Sequence, residues 1–134
     1  MAIGTVFAVR KTINQNTIVA AGIALTGVAT GNLLIEDIIA QVATAVDSVG
    51  HAAVIELYSD NVLGNASFMT MAQAKLPANG GCDFKNATTA RKLLLETGKK
   101  LSVKATTEDV TSNANITFTI ICRKLDNGAN LAAA

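Results

Sequence analysis

Clusters of turn-forming residues divide this sequence at short intervals, and that spacing constrains the fold more than any other feature. Each cluster contains Gly, Asn, Asp, Ser or Pro, and they lie at residues 14–16, 31–32, 47–50, 60–61, 64–65, 77–81, 98, 111–115 and 126–128. The segments between them are short and rich in β-branched residues, the pattern of an all-β sandwich or barrel. We therefore expect a single antiparallel β-sandwich or jelly-roll-like barrel over residues 1–134.

Apolar and polar residues alternate most clearly in five segments, at residues 5–9, 53–58, 67–75, 101–106 and 115–123. Alternation with a period of two indicates a strand with one buried face. The third segment places on one face Phe68, Thr70, Ala72 and Ala74. The last segment is the clearest strand and directs toward the core Ile116, Phe118, Ile120 and Cys122.

Residues 33–46 form an ambiguous segment. Five of its apolar side chains have the spacing of a helical stripe: Leu34, Ile35, Ile38, Ile39 and Val42. Its high Ile and Val content favours a strand, which is our prediction. Residues 47–51 would then form a hairpin turn that leads into a strand at residues 52–59.

Composition limits both the core and the kind of partner. Half of the residues are apolar but only 4 % are aromatic, so Ala, Val, Ile and Leu must build most of the core. Charged residues make up 16 %, against roughly 25 % in ordinary soluble domains, which indicates that a partner covers part of the surface. The formal net charge of +1 provides no basic field, so we expect no nucleic-acid partner.

The uncharged residues 12–35 call for a test against a membrane span. Polar residues interrupt them, and the longest apolar stretch, residues 18–25, is too short to cross a hydrocarbon layer of roughly 30 Å. Arg10 and Lys11 come too late in the chain to begin a signal peptide. We expect no membrane partner and synthesis without export.

No set of residues predicts catalysis, a cofactor or a metal site. His51, the single histidine, falls in an expected turn. Glu36 and Asp37 are adjacent, and neighbours on a strand point to opposite faces, so they cannot share one substrate. Residues 97–100 resemble the end of a phosphate-binding loop but lack its first glycine and its Ser or Thr, so we predict a hairpin turn there.

Cys82 and Cys122 do not belong to a CxxC pair. Two separate cysteines in a chain able to form its own core are most often reduced and structural. We expect both thiols to be free, with Cys122 buried beside Phe118 and Ile120.

Two stretches carry a resemblance to a known family. GNLLIEDIIAQVATAV at residues 31–46 has a glycine, an apolar pair, a short polar step and then a Val-x-Thr-Ala strand. ITFTIICRKLDNGA at residues 116–129 is a final strand that enters a turn and an alanine tail. Both resemble small virion proteins of tailed bacteriophages, including capsid decoration (cement) proteins. Those proteins usually carry an aromatic residue and Pro where this chain has Arg123 and Lys124.

The resemblance implies a subunit without an active site that binds and stabilises a phage capsid lattice. Its partners would be the major capsid protein and further copies of itself, with a trimer expected by analogy. It would be made in the host cytoplasm and located on the capsid surface of the virion. Two alternatives remain open: a tail or head–tail connector component, and a carbohydrate-binding β-sandwich, for which Tyr58 is the single tyrosine.

The N-terminal segment, residues 1–12, is the candidate contact with a neighbouring subunit. Its strand can pair within its own sheet or add to the edge of a neighbour's sheet. Phe7, its largest apolar side chain, is with Val9 the candidate subunit or capsid contact. The alternative is that Phe7 packs in the core of its own subunit. The short C-terminal tail, residues 127–134, is the other segment able to reach a neighbour.

Overall fold

The computed structural model describes residues 2–44, 54–60, 67–72, 75–105 and 114–134. Within these ranges the secondary structure is almost entirely β-strand, with a 3₁₀ turn at Gln15–Thr17. The strands are β1 (Val6–Asn14), β2 (Ile23–Ala24), β3 (Leu33–Val42), β4 (Val54–Ser59), β5 (Ser67–Ala72), β6 (Gly81–Cys82), β7 (Thr89–Ala90), β8 (Leu93–Leu95), β9 (Leu101–Ala105) and β10 (Asn115–Lys124). The predicted all-β class is confirmed.

The strands form two antiparallel sheets. In the first sheet β10 lies between β1 and β3, and both β6 and β8 pair with the other side of β3. In the second sheet the order is β2-β9-β4-β5-β7. Buried apolar residues from both sheets belong to one core cluster. The predicted antiparallel sandwich is therefore confirmed.

Strand β10 supplies the centre of the first sheet, as its alternation predicts. Four of its side chains are wholly buried: Ile116, Phe118, Ile120 and Cys122. The rest of the core is mainly aliphatic, and Phe68 and Phe118 are the phenylalanines that are fully buried in the described residues. A core with few aromatic rings follows from the composition.

Strand β3 confirms the predicted strand over residues 33–42, and an irregularity in it explains the helix-like spacing. Opposite β10, Cys122 pairs with Ile35 and Ile121 pairs with Asp37, so Glu36 is an extra residue. Such a β-bulge shifts the alternation by one position. The buried residues Ile35 and Ile38 are consequently three apart, the interval that also marks one face of a helix.

Strand β5 contains a second irregularity, and it makes the prediction of one alternating face wrong. Opposite β4, Leu57 pairs with Met69 and Tyr58 pairs with Ser67, which leaves Phe68 as an extra residue. Phe68 and Met69 are therefore both buried, although they are consecutive. Beyond the bulge Thr70 lies on the outward face, and Ala74 lies outside the described residues.

Neither predicted hairpin joins two strands of one sheet. Residues 47–51 lie outside the described residues, but β3 is in the first sheet and β4 in the second, so no hairpin joins them. Residues 97–100 do form a turn, with Gly98 at a φ of 81°. That turn connects β8 in the first sheet to β9 in the second.

The C-terminal tail, residues 127–134, is attached to its own chain. Gly27 N–H donates to the Ala132 carbonyl (2.9 Å) and Ala134 N–H donates to the Leu25 carbonyl (3.0 Å). Leu131 is buried in the core. These contacts hold the tail antiparallel to the segment that precedes β3.

Candidate assembly surface

The outward face of the first sheet carries a row of side chains across four strands. Val6 on β1 lies opposite Arg123 on β10, which lies opposite Leu34 on β3, which lies opposite Leu94 on β8. Directly opposed residues on one face have Cβ atoms about 5 Å apart, so the row is continuous. Val6 and Leu94 remain 46 % and 47 % exposed.

Two further exposed side chains lie at the same end of this sheet. Gly4 N–H donates to the Lys124 carbonyl (2.8 Å), which places the neighbouring Ile3 and Leu125 at the same end of the sheet. Ile3 is 64 % exposed and Leu125 is 39 % exposed. We call the group Ile3, Val6, Leu34, Leu94 and Leu125 the apolar end. It holds four of the five large apolar side chains that are exposed in the described residues, the fifth being Val28.

An ion pair lies within this face, beside the apolar end. Arg123 Nε donates to Glu36 Oε1 at 2.7 Å, and Arg123 Nη2 donates to Glu36 Oε2 at 3.3 Å. Arg123 Nη1 also donates to the Gly4 carbonyl at 3.0 Å. The hydrogen bond from Arg123 holds the pKa of the Glu36 carboxyl below its usual value. A partner would therefore meet a paired charge here, which is easier to cover than two separate ions.

The opposite end of the same face is polar. Thr12 Oγ1 and Thr117 Oγ1 share a hydrogen bond of 2.9 Å, and Asn14 Nδ2 donates to Asn115 Oδ1 at 3.2 Å. These cross-strand pairs already use one another's hydrogen-bonding capacity. The face thus grades from an apolar end to a hydroxyl- and amide-rich end.

The outward face of the second sheet differs in kind. It carries a salt bridge between Lys104 and Glu56 (3.8 Å), and Lys104 Nζ also lies 5.0 Å from the centre of the Tyr58 ring. Thr70 and Thr89 share a hydrogen bond of 2.6 Å on the neighbouring strands. This polar face contrasts with the apolar end, which makes the first sheet the stronger candidate for a contact with a partner.

The two candidate contact residues of the N-terminal segment point toward the core. Strand β1 pairs with β10 of its own chain along its whole length. Val9 is 6 % exposed, and Phe7 is partly buried against the core. Whether either touches a neighbour stays a prediction, but their side chains lie on the inner face of the sheet. The exposed residues of β1 are the intervening Val6, Ala8, Arg10 and Thr12.

Lys124 occupies an inward position that the sequence-based prediction missed. It is 2 % exposed, and its Nζ lies 5.4 Å from the centre of the Phe7 ring. A cation over an aromatic face is stabilised by the ring quadrupole. The signal was present in the sequence, because the period-two alternation of Ile116 to Cys122 reaches Lys124 two residues later.

The described residues contain no cluster of three or more His, Cys, Asp or Glu side chains able to hold a metal ion. His51 lies outside the described residues. The neighbours Glu36 and Asp37 are used separately, since Asp37 Oδ1 accepts from the backbone of Ile38 (2.8 Å) and Phe84 (3.0 Å). These carboxylates hold the β-bulge and its neighbouring loop in place.

A surface depression of about 150 Å³ is lined by Ser67, Phe68, Thr89, Ala90 and Arg91. It is smaller than the pockets of roughly 300–1,000 Å³ that hold typical small-molecule ligands. Within the described ranges no helix has the length and apolar character needed to span a bilayer.

Both cysteines are free and Cys122 is buried, as predicted, and Cys82 is buried as well. Burial raises the pKa of the Cys122 thiol to about 12, and burial is also the main cause of the raised pKa of Cys82. Because the thiolate is the reactive form, neither side chain should react readily at neutral pH.

We expect iodoacetamide at pH 8 to leave Cys122 unmodified in the folded protein and to alkylate both cysteines once urea unfolds it. The raised pKa predicts a further effect. The stability that the neutral Cys122 thiol contributes is complete below pH 9 and is lost as the pH rises toward about 12. Peptide mass spectrometry measures the labelling; rapid labelling of native Cys122 would show that the end of β10 opens.

No protein-family model matches the sequence, and a comparison with curated proteins finds no match. Two solved structures are similar in fold. One is a chain in the acidic stable capsid structure of Helicobacter pylori bacteriophage KHP30, with a TM-score of 0.62 and 7 % identity over 98 % of this chain and 96 % of that one. The other comes from Bacillus endospore appendages, disulfide-linked pili, with a TM-score of 0.45 and 13 % identity over 92 % and 91 %. The second likeness is too distant to support an inference, and the first shows that this chain shares the fold of a chain from a phage capsid.

Proposed function

We propose that this protein is a structural component of a phage virion that binds and stabilises the capsid lattice as a decoration (cement) protein. The observation that carries the proposal is the fold shared with a chain of the KHP30 capsid over almost the full length of both chains. The two virion-like stretches in the sequence point the same way. The low charge and the apolar end provide a physical means of attachment.

The apolar end is the surface we assign to the capsid contact. Burial of apolar surface contributes about 25 cal/mol per Å² before the cost of association is subtracted. The paired Arg123 and Glu36 lessen the cost of covering this face. Many copies bound to one lattice act together, so a modest affinity per copy is enough to reinforce it.

A homo-oligomer, with a trimer expected by analogy, and the major capsid protein are the proposed partners. A tail or head–tail connector component remains the second candidate, and it would assemble as a ring instead of occupying lattice sites. A carbohydrate-binding module is less well supported, because Tyr58, the single tyrosine, already lies beside Lys104. These candidates differ in what they bind, so a binding experiment separates them.

A charge introduced at the apolar end should weaken capsid binding strongly. We expect Leu94→Glu to weaken binding to capsids assembled without this protein by about 100-fold, because the carboxylate would be buried without a partner. Val28→Glu is the matched control: Val28 is 57 % exposed but lies outside the apolar end, so its affinity should change by no more than about twofold. Co-sedimentation with capsids measures both.

Three results would count against the proposal. Equal binding by wild type and Leu94→Glu would remove the apolar end from the contact. Absence of binding by the wild type would remove the decoration role. A Leu94→Glu protein that loses self-association in sedimentation while its subunits still bind capsids would assign the apolar end to contacts between copies. Thermal unfolding of each variant confirms that the fold is retained.

A further inference from the structure

Strand β1 forms one edge of the first sheet. It pairs with β10 on one side, and no described strand pairs with its other side. An edge strand presents unpaired N–H and C=O groups and is a template for another strand. The edge of β1 is nine residues long, which is longer than most edge strands that proteins leave open.

Two hydrogen bonds establish which residues of β1 face that open edge. Lys124 N–H donates to the Thr5 carbonyl (3.0 Å) and Gln15 N–H donates to the Ala114 carbonyl (2.7 Å). Thr5 and Gln15 are the odd-numbered residues that flank β1 on its two sides. In two antiparallel strands, residues whose main chain bonds to the neighbouring strand alternate with residues whose main chain points away from it. All odd-numbered residues of β1 therefore bond to β10. The main-chain groups that point to the open edge therefore belong to even-numbered residues. The Asn14 carbonyl already accepts from Thr17 Oγ1 (2.7 Å), which leaves Val6, Ala8, Arg10 and Thr12 for a partner.

Arg10 gives this edge a charge preference. Its Nε donates to Thr119 Oγ1 at 3.3 Å, and within the described residues no carboxylate pairs with it. The adjacent Lys11 points to the inner face, where its Nζ donates to the backbone oxygen of Ala134 at 2.8 Å. The open edge thus carries a cation at its centre that is not paired with an acid.

This charge disfavours a second copy of the same strand. Two β1 edges could pair antiparallel in a register that uses the main-chain groups of all four residues at the open edge. That register places Ala8 opposite Arg10 of the other copy. The two Arg10 side chains are then diagonal neighbours on one face, about 7–8 Å apart, and repel each other. A charged residue on an edge strand is a common means of preventing self-pairing. A strand with a carboxylate in that position would be attracted instead.

We propose that the open edge of β1 receives an extended segment of a different protein, which adds as a strand and places an Asp or Glu beside Arg10. Main-chain hydrogen bonds to Val6, Ala8, Arg10 and Thr12 supply affinity, and the carboxylate supplies selectivity. The proposed function enters only in identifying that protein as a component of the virion. Edge pairing itself can be tested without capsids.

The probe is this chain with Arg10→Glu, mixed in equal amount with the wild type. In the register above, the introduced carboxylate of the variant lies diagonal to Arg10 of the wild-type copy, so the mixture should pair where neither protein does alone. We expect hydrogen exchange at the amides of Val6, Ala8, Arg10 and Thr12 of the wild type to slow by about tenfold in the mixture only. The amides of Phe7 and Val9, already bonded to β10, report that β1 stays in its own sheet.

A pair of variants at Ala8 provides the matched control. Ala8→Pro removes an N–H that points to the open edge and leaves the bonds to β10 intact, so it should abolish the added protection. Ala8→Ser keeps that N–H and should preserve it. If exchange at these amides were already slow in the wild type without the variant, the edge would be assigned to a second copy. That result would overturn the proposal of an acidic partner. Unchanged exchange in every mixture would overturn edge pairing altogether, while capsid binding and its loss in Leu94→Glu are decided independently.

Discussion

A chain that lacks residues 1–12 is expected to remain unfolded. The deletion removes all but the last two residues of β1, which pairs with β10 along its whole length and contributes Val9 to the core. Burial of one large aliphatic or aromatic side chain contributes about 1.5–3 kcal/mol, and Val9 and the partly buried Phe7 would both be lost. The unpaired edge of β10 would also be exposed. A domain of this size is stable by only about 5–15 kcal/mol. The combined loss of buried side chains and of strand pairing should therefore be enough to unfold it.

Circular dichroism and amide NMR spectra test this expectation. A shorter deletion, of residues 1–3, is the control because it leaves β1 and its bonds to Lys124 in place, and it should unfold cooperatively near the wild-type temperature. If the chain without residues 1–12 unfolded at an unchanged temperature and merely lost its partner, β1 would be an attachment arm instead of part of the sandwich.

Lys124→Glu should destabilise the fold strongly. The Lys124 side chain is 2 % exposed and its cation faces the Phe7 ring. A carboxylate at this position would be buried without a partner and would meet the negative face of the ring. We expect a loss of about 3–5 kcal/mol, the cost of an uncompensated buried charge. For a chain of this length, that corresponds to a fall in Tm of roughly 10–20 °C.

Lys124→Met is the matched comparison. Methionine has a similar length and no charge, so it loses the attraction to Phe7 but also removes the cost of burying a cation. We expect a change in unfolding free energy within about 1 kcal/mol of the wild type, measured by urea denaturation. If methionine proved as harmful as glutamate, the shape of the lysine side chain, and not its charge, would be what the site requires.

Regular alternation made much of the fold predictable. In the segment that ends at Arg123, each second residue from Ile116 onward is apolar, and this alternation predicts both the strand and its buried side chains. The all-β class followed from the turn clusters. The prediction of free thiols followed from two separate cysteines in a chain able to form its own core, and the prediction of a buried Cys122 followed from the alternation of its strand. Both agree with the structure.

The features that could not be predicted are those that depend on how a strand pairs with another strand distant in the sequence. The β-bulge at Glu36 depends on the register with β10, and the bulge at Phe68 depends on the register with β4. Residues 97–100 have the composition of a hairpin turn, but the strands on either side bury their apolar faces in different sheets. Register and sheet membership are long-range properties that local composition does not contain.

The candidate surface was predictable only in part. Low overall charge indicated a covered surface, but it did not indicate where. The large side chain of Phe7 made it the candidate contact, although it faces inward. Leu94 is the middle one of three consecutive leucines, so the sequence does not distinguish it from its neighbours. Its exposure follows from the strand alternation of β8, in which Leu93 and Leu95 are buried and Leu94 points outward.

The position of β10 between β1 and β3 has a consequence for how the protein is made. Strand β10 is the last strand among the described residues, yet it is the shared neighbour of β1 and β3. During synthesis the first sheet can close only after residues 115–124 have been made, because β1 and β3 both pair with them. Its native contacts are therefore dominated by residues far apart in sequence. Such high contact order slows folding and delays closure of the first sheet until β10 has been synthesised. A ribosome that stops early would release a chain with exposed apolar strands, and the outward row of Val6, Leu34 and Leu94 is aligned only when synthesis has passed β10.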